Sequence, residues 1–208
     1  MKKDVSLRVR HARIRLLGVV HGLEREGRRV REAFLAFEPD CCAVGIPGED
    51  VETLRQCHGD ENPDFDTTPE REAFFQRLAT YGTVVVPPAG LVAAMTLADE
   101  RDVALEPIDM DDEEYASLFT DEMSLLGLMF NQWKNRRAEK KSFDAGSAEE
   151  FVLAWDGMVN ATRSFRSIKR AQEKHMVDRL WGLAGRHSRI LAVVPIERFD
   201  GVASGLGL

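Results

Sequence analysis

The sequence predicts an α/β fold: a mostly parallel central sheet with flanking helices and a helical insertion or cap. Three observations lead there. Short apolar runs of β type alternate with helical patterns through the first half of the chain, as in parallel sheets whose strands are joined by crossover helices. One such run, Ile14 to Val20, ends in His21-Gly22 just before a helical pattern. Strand carboxyl ends are where open α/β sheets collect ligands and catalytic groups. Finally, residues 111–184 carry helical patterns only. They read as an insertion or cap within a single domain spanning 1–208, a length that suits one domain with its own core.

The elements follow in order. Residues 7–20 give one or two strands, with Gly18 allowing close backbone approach and Gly22 a sharp exit from the strand. Val30, Phe34 and Phe37 recur at helical spacing among charged residues, which predicts an amphipathic helix over 24–37. Glu38-Pro39-Asp40 ends it, and 41–46 reads as a buried strand. Residues 47–68, rich in Pro, Gly and Asp, read as a loop, and Pro69 opens a helix to Tyr81. Thr83–Val86 reads as a strand stopped by Pro87-Pro88, 90–99 as a helix and 103–108 as a strand. Asp111-Asp112-Glu113-Glu114 suits the positive end of a helix dipole and opens a helix towards Arg137. Lys140–Gly146 is the best internal linker, and Ser147 with Glu150 forms a capping-box pattern. A long helix over about 160–184 and a strand over 189–194 complete the pattern. Gly201–Gly207, with no helix after it, reads as a mobile tail.

Composition excludes several classes. A net charge of −7 argues against general nucleic-acid binding. The charge is segregated: residues 2–31 hold ten Lys/Arg against three Asp/Glu, whereas 38–72 and 99–122 are acidic. Such blocks are solvated faces, or they guide self-association or an anionic ligand. Three cysteines, with Cys41 and Cys42 adjacent and on opposite faces of a strand, fit a reducing cytoplasm better than a disulfide framework. The start has no apolar signal segment, so a cytoplasmic location is expected. Leu78–Ala98 is uncharged and long enough to cross a bilayer, but Pro87-Pro88-Ala89-Gly90 splits it, so no stable membrane span is expected.

Strand, Gly18-x-x-His21, helix, Pro39-Asp40 and strand together resemble the amino-terminal signature of the TraB/PrgY family, within the superfamily of the Tiki proteases and erythromycin esterases. Ala104-Leu105-Glu106-Pro107-Ile108-Asp109-Met110-Asp111 resembles that family's mid-chain strand ending in an acidic pair. Glu173–Leu180 resembles its Glu-Arg-Asp-x-x-Met-Ala helix start, and Ile190–Val194 followed by Glu197–Val202 its closing strand. The resemblance implies a cleft at the strand carboxyl ends, a divalent metal such as Mn, Co or Zn, and hydrolysis of a peptide or ester. Three positions depart from the pattern. Arg198 stands where the family has its second histidine, Gly45 where it has an acid, and Gln172 where it has the motif arginine. A guanidinium carries a fixed positive charge and cannot ligate, so no tightly bound ion is expected.

His21 is the candidate catalytic group, as a general base needing a neutral ring and an orienting acceptor from Asp109, Glu173 or Glu197. A packing or capping histidine is its structural alternative. Gly18, Asp109, Glu173, Glu197 and Arg198 are the candidate ligand-binding residues, Arg198 for a carboxylate and otherwise for a salt bridge to Asp200 or Asp109. His175 reads as a structural histidine or a ligand. Lys169, Arg170 and Lys174 read as a solvated strip, and Cys57-His58-Gly59-Asp60-Glu61 lacks the paired spacing of a zinc site. Met123, Met129, Phe130 and Trp133 suit a core or subunit contact, which allows a homo-oligomer. Three function classes follow: a degenerate cleft binding a peptide or small anionic ligand, a metal- or His21-dependent hydrolase, and an assembly module.

Overall fold

The computed structural model describes residues 3–57, 69–123 and 145–208. Its five strands are β1 (Asp4–Val9), β2 (Ala12–Val19), β3 (Cys41–Val44), β4 (Ala104–Pro107) and β5 (Arg189–Pro195), in the spatial order β1-β2-β5-β3-β4. β1 and β2 form an antiparallel hairpin, and every other pairing is parallel. The α/β class with a mostly parallel sheet is therefore observed. The register sets Val19 opposite Pro195 and Val44 opposite Val193, so β2, β3 and β5 end at one edge and point the same way.

Eight helices flank the sheet among the described residues. They are α1 (Arg25–Phe37), α2 (Gly48–Cys57), α3 (Pro69–Leu78), α4 (Ala89–Glu100), α5 (Asp112–Glu122), α6 (Ala148–Val159), α7 (Arg163–Leu183) and α8 (Phe199–Gly205). Alternation along the strands sorts the core into layers. Ile14, Leu16, Cys41, Ala192 and Val194 pack towards α7 and α8. Leu17, Val19, Cys42, Leu191 and Val193 pack towards α1, α2 and α4. The two cysteines thus lie on opposite faces, both buried and free. A third cluster joins Val20, Leu23 and Ile196, just past the strand ends, to Phe74, Phe151 and Trp155 of α3 and α6. It caps the carboxyl edge of β2 and β5 with stacked and tilted rings, Phe74 lying 5.5 Å from both Phe151 and Trp155.

Local chemistry explains the element ends. Asp111 accepts from the Glu114 amide while the Glu114 carboxylate accepts from the Asp111 amide, a reciprocal capping box that opens α5. Ser147 Oγ accepts from Glu150 N at 3.2 Å at the start of α6, but the Glu150 carboxylate turns to Gly146 N instead of closing the box. Ser147→Ala is expected to cost about 1 kcal/mol, read as a lowered urea midpoint. Asp40, of the Pro-Asp pair, accepts from the amides of Ser188 and Arg189 and so fixes the entry to β5.

Three expectations are corrected. The first half of the 47–68 segment is not loop: Gly48–Cys57 is α2. Acids in its first turn, Arg55 in its last and Val51 with Leu54 buried three residues apart all suit a helix. Thr83–Val86 does not join the sheet. Val84 makes one antiparallel bridge to Leu23, and Val85 N donates to Gly22 O at 2.7 Å. Pro87 and Pro88 then offer no N–H to extend a ladder. Residues 201–205 are not a tail but belong to α8, with Phe199, Val202 and Ala203 buried. Gly201 and Gly205, one turn apart, let α8 touch α7. A Cβ on Gly205 would sit 2.6 Å from Val177 Cγ2, and one on Gly201 would overlap the Glu173 carboxylate.

Between β4 and β5 lie α5, α6 and α7, where the helical insertion was read. The stretch over which a helix towards Arg137 is expected, with Met129, Phe130, Trp133 and the Lys140 end of the linker, lies outside the described residues, as do His58 to Glu61. The uncharged 78–98 stretch is broken between α3 and α4, and no described helix is long and apolar enough to cross a membrane.

Candidate functional site at the carboxyl edge of the sheet

Four of the candidate residues meet at this edge. Arg198 follows β5 and starts α8, and its charge is felt by the carboxyl groups of Asp109, Glu173 and Glu197. Its Nη2 donates to Gln172 Oε1 at 3.0 Å, and its Nη1 lies 3.8 Å from Asp156 Oδ1, too far for a hydrogen bond. Nη1 is sealed from solvent and has no hydrogen-bond partner among the described residues. Asp156 is committed elsewhere: Oδ1 accepts from Asn160 Nδ2 at 2.8 Å and Oδ2 from Lys169 Nζ at 2.5 Å. Lys169 also lies 3.8 Å from Glu173 Oε1. The Asp200 pairing considered for Arg198 is not made; Asp200 accepts from Lys3 instead.

Burial tunes the acids. It pushes the Glu197 carboxyl above its ordinary value, against the pull of its own backbone N–H and Arg198. It raises Glu173 as well, opposed by Lys169 and Arg198, and Asp109, opposed by the Met110 amide, Arg198 and His175. The cavity beside Arg198 has a volume of about 290 Å³. Asp156, Gln172, Glu197 and Arg198 line it with aromatic rings from Phe74, Trp155 and Phe165. A few convergent polar groups among apolar walls is the common composition of a small-molecule site.

His21 lies elsewhere. It lines a separate cavity of about 300 Å³ with Ile46, Leu54, Pro88 and Leu91, and Asp50 and Arg71 also contribute to it. The two cavities share no lining residue among those described. Burial lowers the His21 pKa from 6.5 to about 4, so the ring is neutral near neutral pH. Its Nε2 is buried without a hydrogen-bond partner among the described residues. The neutral ring expected of a base is thus present, but Nε2 finds no acceptor on Asp109, Glu173 or Glu197.

Gly18 and Gly45 are close-approach positions. A Cβ on Gly18 would sit 3.0 Å from both Lys3 Cβ and Phe199 Cδ2, so packing fills the space beside it. A Cβ on Gly45 would sit 2.8 Å from Pro195 Cδ and 3.1 Å from Val194 Cα. Just past the end of β3, the chain at Gly45 lies too close to β5 to admit a side chain. Among the described residues no group of three or more His, Cys, Asp or Glu side chains is placed to hold a metal ion.

Sequence reasoning missed Asp156 and the aromatic wall, although Phe151 and Trp155 stand at helical spacing. The basic strip divides. Lys169 is half-buried in the network, while Lys174 is exposed and pairs with Asp178. Position therefore makes Lys169 part of the site although its neighbours face solvent. His175 faces Glu114, its Nδ1 lying 3.9 Å from Oε2. No protein-family model matches this chain, and no curated protein is significantly similar to it.

Proposed function

We propose that the protein binds a small peptide-like or amino-acid-like ligand in the Arg198 cavity, with no chemistry performed on it. The observation that carries this reading is Arg198 Nη1, a buried donor without an acceptor at an aromatic-walled cavity. A buried guanidinium N–H left unpaired costs free energy that a ligand carboxylate would return as a charge-assisted bond. Glu197 lines the same cavity and suits an ammonium group, and Phe74, Trp155 and Phe165 suit an apolar side chain. The His21 hydrolase is less well supported, because His21 opens on a different cavity. Kinship with the TraB/PrgY family is retained as part of the proposal. It rests on the order of strand, His21, helix, Pro39-Asp40 and parallel strand, with Gly45 and Arg198 marking divergence from a metal-binding ancestor.

The test is a thermal-shift and calorimetric screen of dipeptides and N-acetyl amino acids with aromatic or branched side chains. A ligand that binds the native state alone raises the melting temperature. Arg198→Lys keeps the charge but loses the planar fork, and is expected to weaken binding about 10- to 100-fold while the unliganded protein stays folded. Arg198→Lys with undiminished ligand response, or turnover of a bound peptide that depends on His21, would overturn the reading.

A further inference from the structure

The basic block near the amino terminus is not absorbed by the Arg198 site. Arg25, Arg28 and Arg29 stand at i, i+3 and i+4 and so share one face of α1. That face lines a cavity of about 480 Å³, together with Lys3, Ser147 and Ile196. It is larger than the cavities at Arg198 and His21. Three carboxylates, Glu26, Glu32 and Glu149, also line it, against four cations.

The accounting of partners decides what this cavity can take. Arg29 is spent on structure: Nη1 donates to Gly18 O at 2.8 Å and to Glu26 at 3.1 Å, and Nη2 donates to Lys3 O at 3.1 Å. Glu26 is 2% exposed and lies between Arg29 and Arg25. Lys3 is 6% exposed and donates to Asp200, with its ammonium 5.3 Å from the Phe199 ring centroid. Arg25 reaches across to Glu149 with Nη2 at 2.8 Å, but half of its side chain remains open to solvent. Arg28 has no ion-pair or hydrogen-bond partner among the described residues. Glu32 lies one turn further along α1 and is exposed.

The opposite wall is the first turn of α6. Ser147 Oγ accepts from Glu150 N and keeps its own O–H to donate. The helix dipole adds positive potential at this turn, set against the carboxylates of Glu149 and Glu150 in the same turn. An open guanidinium at Arg28, the exposed half of Arg25 and the Ser147 hydroxyl thus border one cavity. We propose that this cavity between α1 and the start of α6 binds a phosphate-class anion carried on a small organic body. The cavity volume exceeds the needs of a bare inorganic ion, and the arginines on one face offer the forked donors that phosphate oxygens accept.

Titration calorimetry with inorganic phosphate, pyrophosphate and a nucleoside monophosphate tests this on the full chain. The nucleoside monophosphate is expected to bind more tightly than inorganic phosphate; the reverse order would assign the cavity to the free ion and overturn the organic part of the proposal. Arg28→Gln is expected to weaken binding about tenfold or more. Arg28 is exposed and unpaired, so its variant should fold, which circular dichroism checks. Glu32→Gln removes an exposed negative charge and is expected to strengthen binding a few-fold. Arg198→Lys is expected to leave phosphate binding unchanged, which separates this site from the one proposed above. Absence of binding by all three probes, an equal response to sodium chloride at matched ionic strength, or indifference to Arg28→Gln would overturn the proposal.

Discussion

Replacing His21 with glutamine is expected to remove a loss of stability that the native protein suffers on mild acidification. The folded-state pKa of about 4 lies below the ordinary 6.5, so the unfolded chain binds more protons between these values. Stability is therefore lost as pH falls through that window, and the gap corresponds to about 3 kcal/mol at its lower end. Glu26, Asp50, Asp109, Glu173 and Glu197 act with the opposite sign, because burial raises each of their pKa values. Their protonation as pH falls favours the folded state. The His21 contribution is thus read as a difference between two proteins. Urea unfolding of the native chain and His21→Gln at about pH 7 and about pH 4 should show the two stabilities converging towards acid, or crossing. His21 has its own cavity, apart from Arg198 and its acids, so its effect should add to theirs with little coupling. Parallel stability curves for the two proteins would mean that His21 is not held neutral in the fold.

Gly45→Glu is expected to be among the most destabilising single changes in the chain. It would place at this position the acid of the family pattern, and it meets Pro195 Cδ and Val194 Cα before the side chain has passed its first carbon. These are ring and backbone atoms of the central strand and cannot swing aside. Gly45→Ala is expected to cost about 1–3 kcal/mol by overpacking. The glutamate adds a buried carboxylate without partners, taking the loss beyond about 3 kcal/mol. Chemical unfolding of both variants checks this, and metal analysis of Gly45→Glu checks the corollary that no divalent ion is gained. A Gly45→Glu protein as stable as the native one, or one retaining a metal lost on His21→Ala, would show that β3 and β5 part readily.

What the sequence revealed and what it hid divide along the range of the forces involved. β2, β3 and β5 were legible because apolar runs bounded by His21, Pro39-Asp40 and Pro195, broken in β2 only by Arg13 and Arg15, suit a buried strand. α1 was legible because Val30, Phe34 and Phe37 place one stripe inward. α2 was not, since only Val51 and Leu54 are buried among its polar residues and the Gly-Pro-Asp composition around them resembles a loop. The valines at 84–86 have strand propensity, but the prolines after them deny them a ladder. The glycines of α8 looked like freedom of the chain; in the fold they are places where Glu173 and Val177 press against its backbone. At the edge of the sheet, Asp109, Glu173, Glu197 and Arg198 were named as candidates and lie within electrostatic reach of one another. That His21 opens on a different cavity, beside Ile46, Leu54, Pro88 and Leu91, is a tertiary arrangement with no local signature.

The position of β5 has a consequence for how the molecule is assembled. It follows every other described strand, yet it lies in the middle of the sheet, bonded to β2 on one side and β3 on the other. Without residues 189–195 the β1-β2 hairpin and the β3-β4 pair have no strand to join them, and β2 and β3 each lack the neighbour that β5 supplies. Leu17, Val19, Cys42 and Val44 of those strands share one buried cluster with Leu191 and Val193 of β5. Contacts this distant in sequence are slow to form, and open apolar edges invite association with other chains in the interval. Nascent chains stalled within α7 should therefore recruit holding chaperones and resist protease poorly, and release of β5 should convert them to the native state in one cooperative step.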